Sequence, residues 1–236
     1  MKEHRVLITC EHGGNGIPPE YRHCFRGRER LLDSHRGHDP GALALARTLA
    51  RTCDARLVYS TTSRLLVELN RSPGHPRLYS DITRELPPRE KRDLYVRHYL
   101  PYRRKVESAV IGALRAGVVL VHVSSHTFTP VLGRQRRHAD IGLLYDPSRE
   151  GELHLALAWR EALLEELPHL VVRRNYPYRG TADGLTTHLR RLHRPSQYIG
   201  IEIEVNQKYP RGDVRRWRML RRVIAESLRR ALKSAA

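Results

Sequence analysis

Seven short apolar runs punctuate the chain, at residues 6–10, 56–60, 65–69, 118–123, 141–145, 171–174 and 198–205. Several are almost continuously apolar, the pattern of strands buried on both faces. Helical spacing fills the intervals. Residues 40–53 carry alanine and leucine at that spacing, with Pro40 suited to a first turn. Residues 89–116 predict a long helix broken near Pro101. Residues 150–167 form an amphipathic pattern that stops at Pro168, and residues 213–234 predict a helix with a basic outer face. Strands alternating with helices imply an α/β fold: a central mixed, mostly parallel sheet with helices on both faces. No composition shift or internal repeat divides the chain, so residues 1–236 read as one domain, long enough to bury a sizeable core.

Composition narrows the class. With 40% hydrophobic and 29% charged residues, the chain is globular and not disordered. No stretch approaches the roughly twenty apolar residues of a membrane span. The apolar run at residues 6–10 is too short for the core of a signal peptide, which predicts a cytoplasmic protein. Cys10, Cys24 and Cys53 are odd in number and match no CxxC spacing, so they are expected as reduced thiols, Cys10 as a small buried hydrophobe.

The net charge of +18 raises nucleic-acid binding as an alternative without catalysis. Only 5 of the 43 basic residues are lysine (Lys2, Lys91, Lys105, Lys208 and Lys233), and the arginines run along the whole chain instead of forming a stripe. There is no recognised binding motif, and two phenylalanines leave few stacking platforms. A positive surface equally attracts a small acidic substrate.

Candidate chemistry gathers at the ends of the apolar runs, where an α/β fold presents its loops. Glu11-His12-Gly13-Gly14-Asn15 puts a histidine directly after a strand and before two glycines, where backbone can approach a ligand closely. Asp39 stands just before a helix, positioned either to cap it or to ligate a metal, with His35 and His38 nearby. His122, Ser124 and His126 share a strand face, with His126 at the strand end. Ser125 lacks the glycine elbow of a hydrolase nucleophile. Asn70-Arg71 can grip a carboxylate by a forked contact, against the alternative of an ordinary surface arginine. Glu202 and Glu204 point to one face of an otherwise apolar strand, which is costly unless they are paired or used. A glutamate there can serve as general base in metal-assisted hydrolysis. Two histidines and an acid suffice for a catalytic zinc site with one open position.

These motifs, in this order, resemble the N-formylglutamate amidohydrolase family. The resemblance rests on Glu11-His12-Gly13-Gly14-Asn15 with Ile17-Pro18, on His35 with Asp39-Pro40-Gly41-Ala42, and on Ser63-Arg64-Leu65 through Asn70-Arg71. It continues through Ser125-His126-Thr127-Phe128-Thr129-Pro130, Ile141-Gly142-Leu143-Leu144-Tyr145, Asn175-Tyr176-Pro177-Tyr178 and Ile203-Glu204, covering about residues 6–209. It implies a single catalytic domain of the zinc-exopeptidase type that binds one zinc ion. The implied reaction is hydrolysis of N-formyl-L-glutamate or a similar N-acyl amino acid. A metallopeptidase or amidase of another specificity is the alternative within the same chemistry.

Carried over, the resemblance makes His12 and His126 zinc ligands, with Asp39 the choice for the acidic ligand and Glu11 the other candidate. It makes Glu204 the general base and then the acid. Asn70 and Arg71 hold the substrate carboxylate, and Asn175, Tyr178 and Arg179 line the substrate side. The chain departs from the related carboxypeptidase pattern at Asn15, where that group has a glutamate ligand. It also departs from the family at Glu68, where aspartate is usual.

Overall fold

The computed structural model describes residues 4–234. The elements, in chain order, are β1 (His4–Cys10), α1 (Glu29–Leu32), α2 (Ala42–Thr52), β2 (Arg56–Tyr59), α3 (Pro88–Leu94) and α4 (Leu100–Arg115). Then follow β3 (Val119–Phe128), β4 (Val131–Leu132), β5 (Gln135–Arg136), β6 (Ile141–Leu144) and α5 (Glu150–Glu166). The chain closes with β7 (Val172–Arg174), α6 (Leu185–Leu192), β8 (Tyr198–Asn206) and α7 (Val214–Ser234).

Six strands form one sheet in the order β2-β1-β3-β8-β6-β7. β2, β1, β3 and β8 run parallel, while β6 runs antiparallel to β8 and parallel to β7. The sheet is thus mixed and mostly parallel, as the alternation of apolar runs implies. β4 and β5 make a separate hairpin.

Both faces are covered. Alternate residues Ile8, Val121, Val123, Ile201 and Ile203 pack with α2, α5 and α7 through Leu45, Leu49, Trp159, Trp217 and Leu228. The intervening residues Leu7, Leu120 and Tyr198 pack with α4 and α6 through Tyr102, Val106, Leu185 and Leu189. Period-two alternation continues along this second set, and toward the strand ends it turns polar. Leu7 leads to Thr9 and Glu11, Leu120 to His122, Ser124 and His126, and Tyr198 to Glu202 and Glu204. One face of the sheet therefore grades from apolar core into polar site.

The structure departs from the sequence expectations in three places. Residues 65–69 are a chain of turns and not a strand: Leu66 N donates to Ser63 O, Glu68 N to Leu78 O, and Arg71 N to Glu68 O. The apolar run is buried all the same, because Leu65 and Leu66 fill a third cluster with Tyr21, Phe25 and Leu94. Helix α6 has no counterpart in the sequence reading; its apolar positions Leu185, Leu189 and Leu192 are spaced helically but span only two turns. The helix of residues 89–116 is not broken at Pro101. One wide π-helical turn, Tyr95–Tyr99, joins α3 to α4, and Pro101 falls in the first turn of α4, where its missing N–H costs little. Cys10, Cys24 and Cys53 are all free, Cys10 fully buried. Among the described residues, no helix is long and apolar enough to cross a membrane.

Gly142 lies opposite Glu204 across β6 and β8. A Cβ there would sit 1.7 Å from the Tyr176 carbonyl oxygen, so any side chain must push the backbone after β7 away. Gly142→Ala is expected to cost about 1–3 kcal/mol, the usual range for overpacking, and to lower the urea midpoint. An unchanged midpoint would show that the close approach is absent.

Candidate active site

β1 ends at Cys10, and the chain turns sharply to present His12. Gly13 and Gly14 make this possible. A Cβ on either would fall within 2.7 Å of the Ser60 or Thr61 carbonyl oxygen, so only glycine lets this turn press against the chain leaving β2. Asp39 reaches the same spot from before α2. Its N–H donates to His12 O at 3.0 Å. Its carboxylate does not cap α2, whose N-cap is Gly41 and whose first turn has no side-chain cap. Ser125 and Thr127 donate to Ala42 O and Pro40 O and fasten this segment to β3. His126, also on β3, completes the group.

The three side chains converge. Asp39 Oδ2 lies 3.2 Å from His12 Nδ1 and 2.9 Å from His126 Nδ1. All three residues are at most 5% exposed. The far nitrogens of both rings are also engaged: His12 Nε2 meets Glu68, and His126 Nε2 lies 3.1 Å from Glu11. Each imidazole is therefore gripped from behind by a carboxylate that fixes its orientation and turns Nδ1 toward Asp39. Glu11 and Asp39, both candidates for the acidic ligand, take opposite sides of His126. Only Asp39 belongs to the His12-Asp39-His126 group able to hold a metal ion.

Charge supplies an independent test of fit. Burial opposes ionisation of Glu11, Asp39 and Glu68, yet their neighbours outweigh it and hold all three carboxyls below the ordinary carboxylate range. Histidine 126 with Ser124 and Tyr102 does this for Glu11, His12 for Asp39, and Arg64 with His12 for Glu68. Arg64 bonds Glu68 at 2.5 Å and touches Asp39 at 3.4 Å. Three buried carboxylates against one guanidinium leave two negative charges. Burial pushes both imidazoles down, but the surrounding carboxylates outweigh it and raise His12 and His126, the direction that offsets this negative charge. A divalent cation would balance it equally well while displacing both protons. Two imidazole nitrogens and one carboxylate oxygen are also the donor types zinc takes.

Glu204 completes the floor from β8. It is 6% exposed, and among the described residues its Oε2 has no hydrogen-bond partner. Burial, reinforced by Asp39 and Glu202 and opposed by His126, pushes its carboxyl up to about 8. Glu202, its partner on the same face, accepts from Thr186 Oγ1.

Above this floor opens a cleft of about 310 Å³. His12, Asp39, His126, Glu204, Asn70, Arg71, Tyr178 and Arg179 all line it, so the structure unites most residues singled out in the sequence. Asn70 Oδ1 accepts from Leu185 N at 2.6 Å, and Arg71 is tethered to the Asp183 carbonyl. Asn175 is a correction. It lies outside the cleft lining, with its Oδ1 taken by the N–H groups of Tyr145 and Gly180 at 3.0 Å each. It shapes the loop that carries Tyr178 and Arg179 instead of facing a substrate. His35 lines the cleft, whereas His38 turns away to Leu32 O. Sequence reasoning missed Arg64 and Arg77 as cleft residues. It also missed Arg137, which is 6% exposed, lies over the rings of Phe128 and Tyr178, and donates to Tyr178 Oη. With 43 basic residues, no spacing singled these three out.

The chain belongs to the N-formylglutamate amidohydrolase family, whose sequence profile matches residues 4–209. That is a family of amide-bond hydrolases. A crystal structure of a gene product of Agrobacterium tumefaciens is 31% identical, with 99% of this chain and 92% of that chain covered and a TM-score of 0.82. The N-formylglutamate amidohydrolase of Ralstonia eutropha is 19% identical over 99% of this chain and 94% of its own, with a TM-score of 0.74, and shares the fold. No curated protein matches the sequence.

The raised carboxyl of Glu204 has a consequence for stability. Between its ordinary value of 4.5 and about 8, the folded metal-free protein holds a proton that the unfolded chain has released. Stability contributed by this group is present at low pH and is lost as pH rises through that window. Glu204→Gln removes the effect. In chelator, its melting temperature should gain on that of the wild type as pH rises from about 5 to about 9. A constant gap would mean that Glu204 ionises normally.

Proposed function

We propose that this chain is a single catalytic domain that hydrolyses the amide bond of N-formyl-L-glutamate or a closely similar N-acyl amino acid, using one zinc ion. The observation that carries the reading is the convergence of His12, Asp39 and His126 beside an unpartnered buried carboxyl, Glu204. Family membership supports the reaction type. The cleft supports an acidic substrate. Arg71, Arg77 and Arg179 line it, and among the described residues none forms an ion pair. Such guanidiniums suit a ligand bearing carboxylates.

His12, Asp39 and His126 would hold the metal. When bound, zinc supplies Lewis acidity, which activates water at neutral pH and polarises a carbonyl. Glu204 takes a proton from the attacking water and later delivers it to the departing amine nitrogen. Glu204 would give up its proton more readily with a cation held at His12, Asp39 and His126, since positive charge there offsets the carboxylates around it. Arg64 offers guanidinium donors beside Asp39 for the oxyanion of the tetrahedral intermediate. Asn70 and Arg71 orient the substrate carboxylate, and Tyr178 and Arg179 close the outer side.

Purified protein should carry close to one equivalent of zinc, and His12→Ala/His126→Ala should carry none, as read by elemental analysis. Wild type that takes up no metal when zinc is supplied would remove the metallohydrolase reading. Glu204→Gln should retain zinc and lose roughly 10²- to 10⁴-fold in kcat on N-formyl-L-glutamate, the usual scale for a general acid–base group. Loss of zinc in that variant would reassign Glu204 as a ligand. Arg71→Ala should raise KM more than it lowers kcat, which steady-state kinetics at fixed ionic strength can separate. A pure kcat effect would place Arg71 at the reacting centre instead.

A further inference from the structure

The family motif begins one residue before the first histidine, at Glu11, and that residue touches no cleft. It is fully buried. Three groups surround it. Ser124 Oγ donates to Oε2 at 2.6 Å, Tyr102 Oη donates to Oε1 at 2.7 Å, and His126 Nε2 lies 3.1 Å from Oε2. Beyond these, Thr9 bonds His122 Nε2 at 2.8 Å, and His122 Nδ1 bonds Tyr198 Oη at 2.7 Å. The second row continues the same face of the sheet, but its imidazole is held down to about 4 by burial and carries no charge at neutral pH. Glu11 is thus the one anion behind His126, and each of its oxygens has a donor.

A buried carboxylate with this many dedicated donors is costly to build. Core packing does not require it, since apolar residues occupy the equivalent alternate positions further back on the strands, Leu7 and Leu120. Its geometry does one thing that an apolar residue cannot. Ser124 Oγ accepts from His126 Nε2 at 2.9 Å while donating to Glu11, whose Oε2 itself lies 3.1 Å from that nitrogen, so Glu11 keeps the proton on Nε2 and leaves Nδ1 as the nitrogen that faces Asp39 and is free to take a metal. Tyr102 adds the second constraint. It comes from α4, outside the sheet, and fixes the one carboxylate oxygen that His126 and Ser124 leave free.

We propose that Glu11 and Tyr102 are positioning residues that set the metal affinity of the site by holding His126 in its Nδ1-ligating tautomer. The inference rests on the metal reading above. Glu11→Gln keeps the shape, but its amide can donate to Nε2 and so favours a proton on Nδ1, where the metal must bind. Tyr102→Phe keeps the packing and removes only the hydroxyl.

The experiment is zinc affinity by competition with a chromophoric chelator, on folded protein well below each variant's melting temperature, together with 15N-imidazole NMR of the zinc-loaded protein. Glu11→Gln is expected to weaken zinc roughly 10- to 100-fold, and Tyr102→Phe less, the range seen when the partner behind a metal-bound histidine is lost. The His126 Nε2–H signal should be sharp and strongly downfield in wild type and displaced in Glu11→Gln. A role confined to stability would lower the melting temperature and leave both readouts unchanged, and that result overturns the inference. Wild-type affinity in Glu11→Gln likewise overturns it if Tyr102→Phe is also unaffected. A cobalt-loaded Glu11→Gln whose visible spectrum shows a changed ligand set overturns it in favour of Glu11 as a direct ligand. Failure of wild type to bind zinc is a different result and removes the metal reading itself.

Discussion

Two uncompensated negative charges, buried where β1, β3 and β8 end, are the constraint on which the rest of the site depends. Glu11, Asp39 and Glu68 are each too deep for water to solvate, and Arg64 answers only one of them. The remainder must be met by protons on His12 and His126 or by a cation between them. Every polar contact around the pocket follows from this. Serine and tyrosine hydroxyls point at carboxylate oxygens, and a backbone N–H from Asn70 supports Glu68 at 3.0 Å. Glu204 stands apart because among the described residues its Oε2 has no such partner, and burial therefore favours its protonated form.

The sheet makes this arrangement possible through its register. Parallel pairing of β1, β3 and β8 aligns Thr9 with Ser124 and His126 with Glu204, so side chains from three strands meet on one face at one end. The antiparallel pairing of β6 then lays Gly142 beside Glu204 and Leu144 beside Glu202, which closes the far wall without adding bulk next to the base. Helix α7 accounts for part of the chain's basic character. Its inner face, with Trp217, Leu220, Ile224 and Leu228, packs into the core, and arginines occupy the outside. It is a structural layer first, which explains its length without reference to any nucleic acid.

Much of this was legible in the sequence. His12, Asp39, His126 and Glu204 stood out because each sits at a strand end or beside a glycine turn, where neighbours along the chain already limit what the side chain can reach. What was not legible depended on contacts across the sheet. Spacing could not say on which side of His126 Glu11 would lie, because that is decided by how far β1 and β3 are offset. It could not tell Arg64 from other arginines, since its role comes from two carboxylates distant in sequence. Asn175 looked like a substrate contact because it precedes Tyr178, yet its positive φ of 49° bends the loop and turns its amide inward. Residues 65–69 have a strand's composition, but the chain there is committed to turns that aim Glu68 and Asn70.

The wide turn at Tyr95–Tyr99 amounts to one surplus residue in a helix that otherwise advances about 100° per residue. It works as a phase shift. Upstream, α3 keeps Leu94 against the cluster around Leu65; downstream, α4 keeps Tyr102 against Glu11, while Tyr99 and Arg103 meet the carbonyl of Arg71. A perfectly regular helix could satisfy one of these docking surfaces but not both. The irregularity therefore lets two separately packed regions share a single rod, and it ties the angular setting of that rod to both the metal side and the substrate side of the cleft.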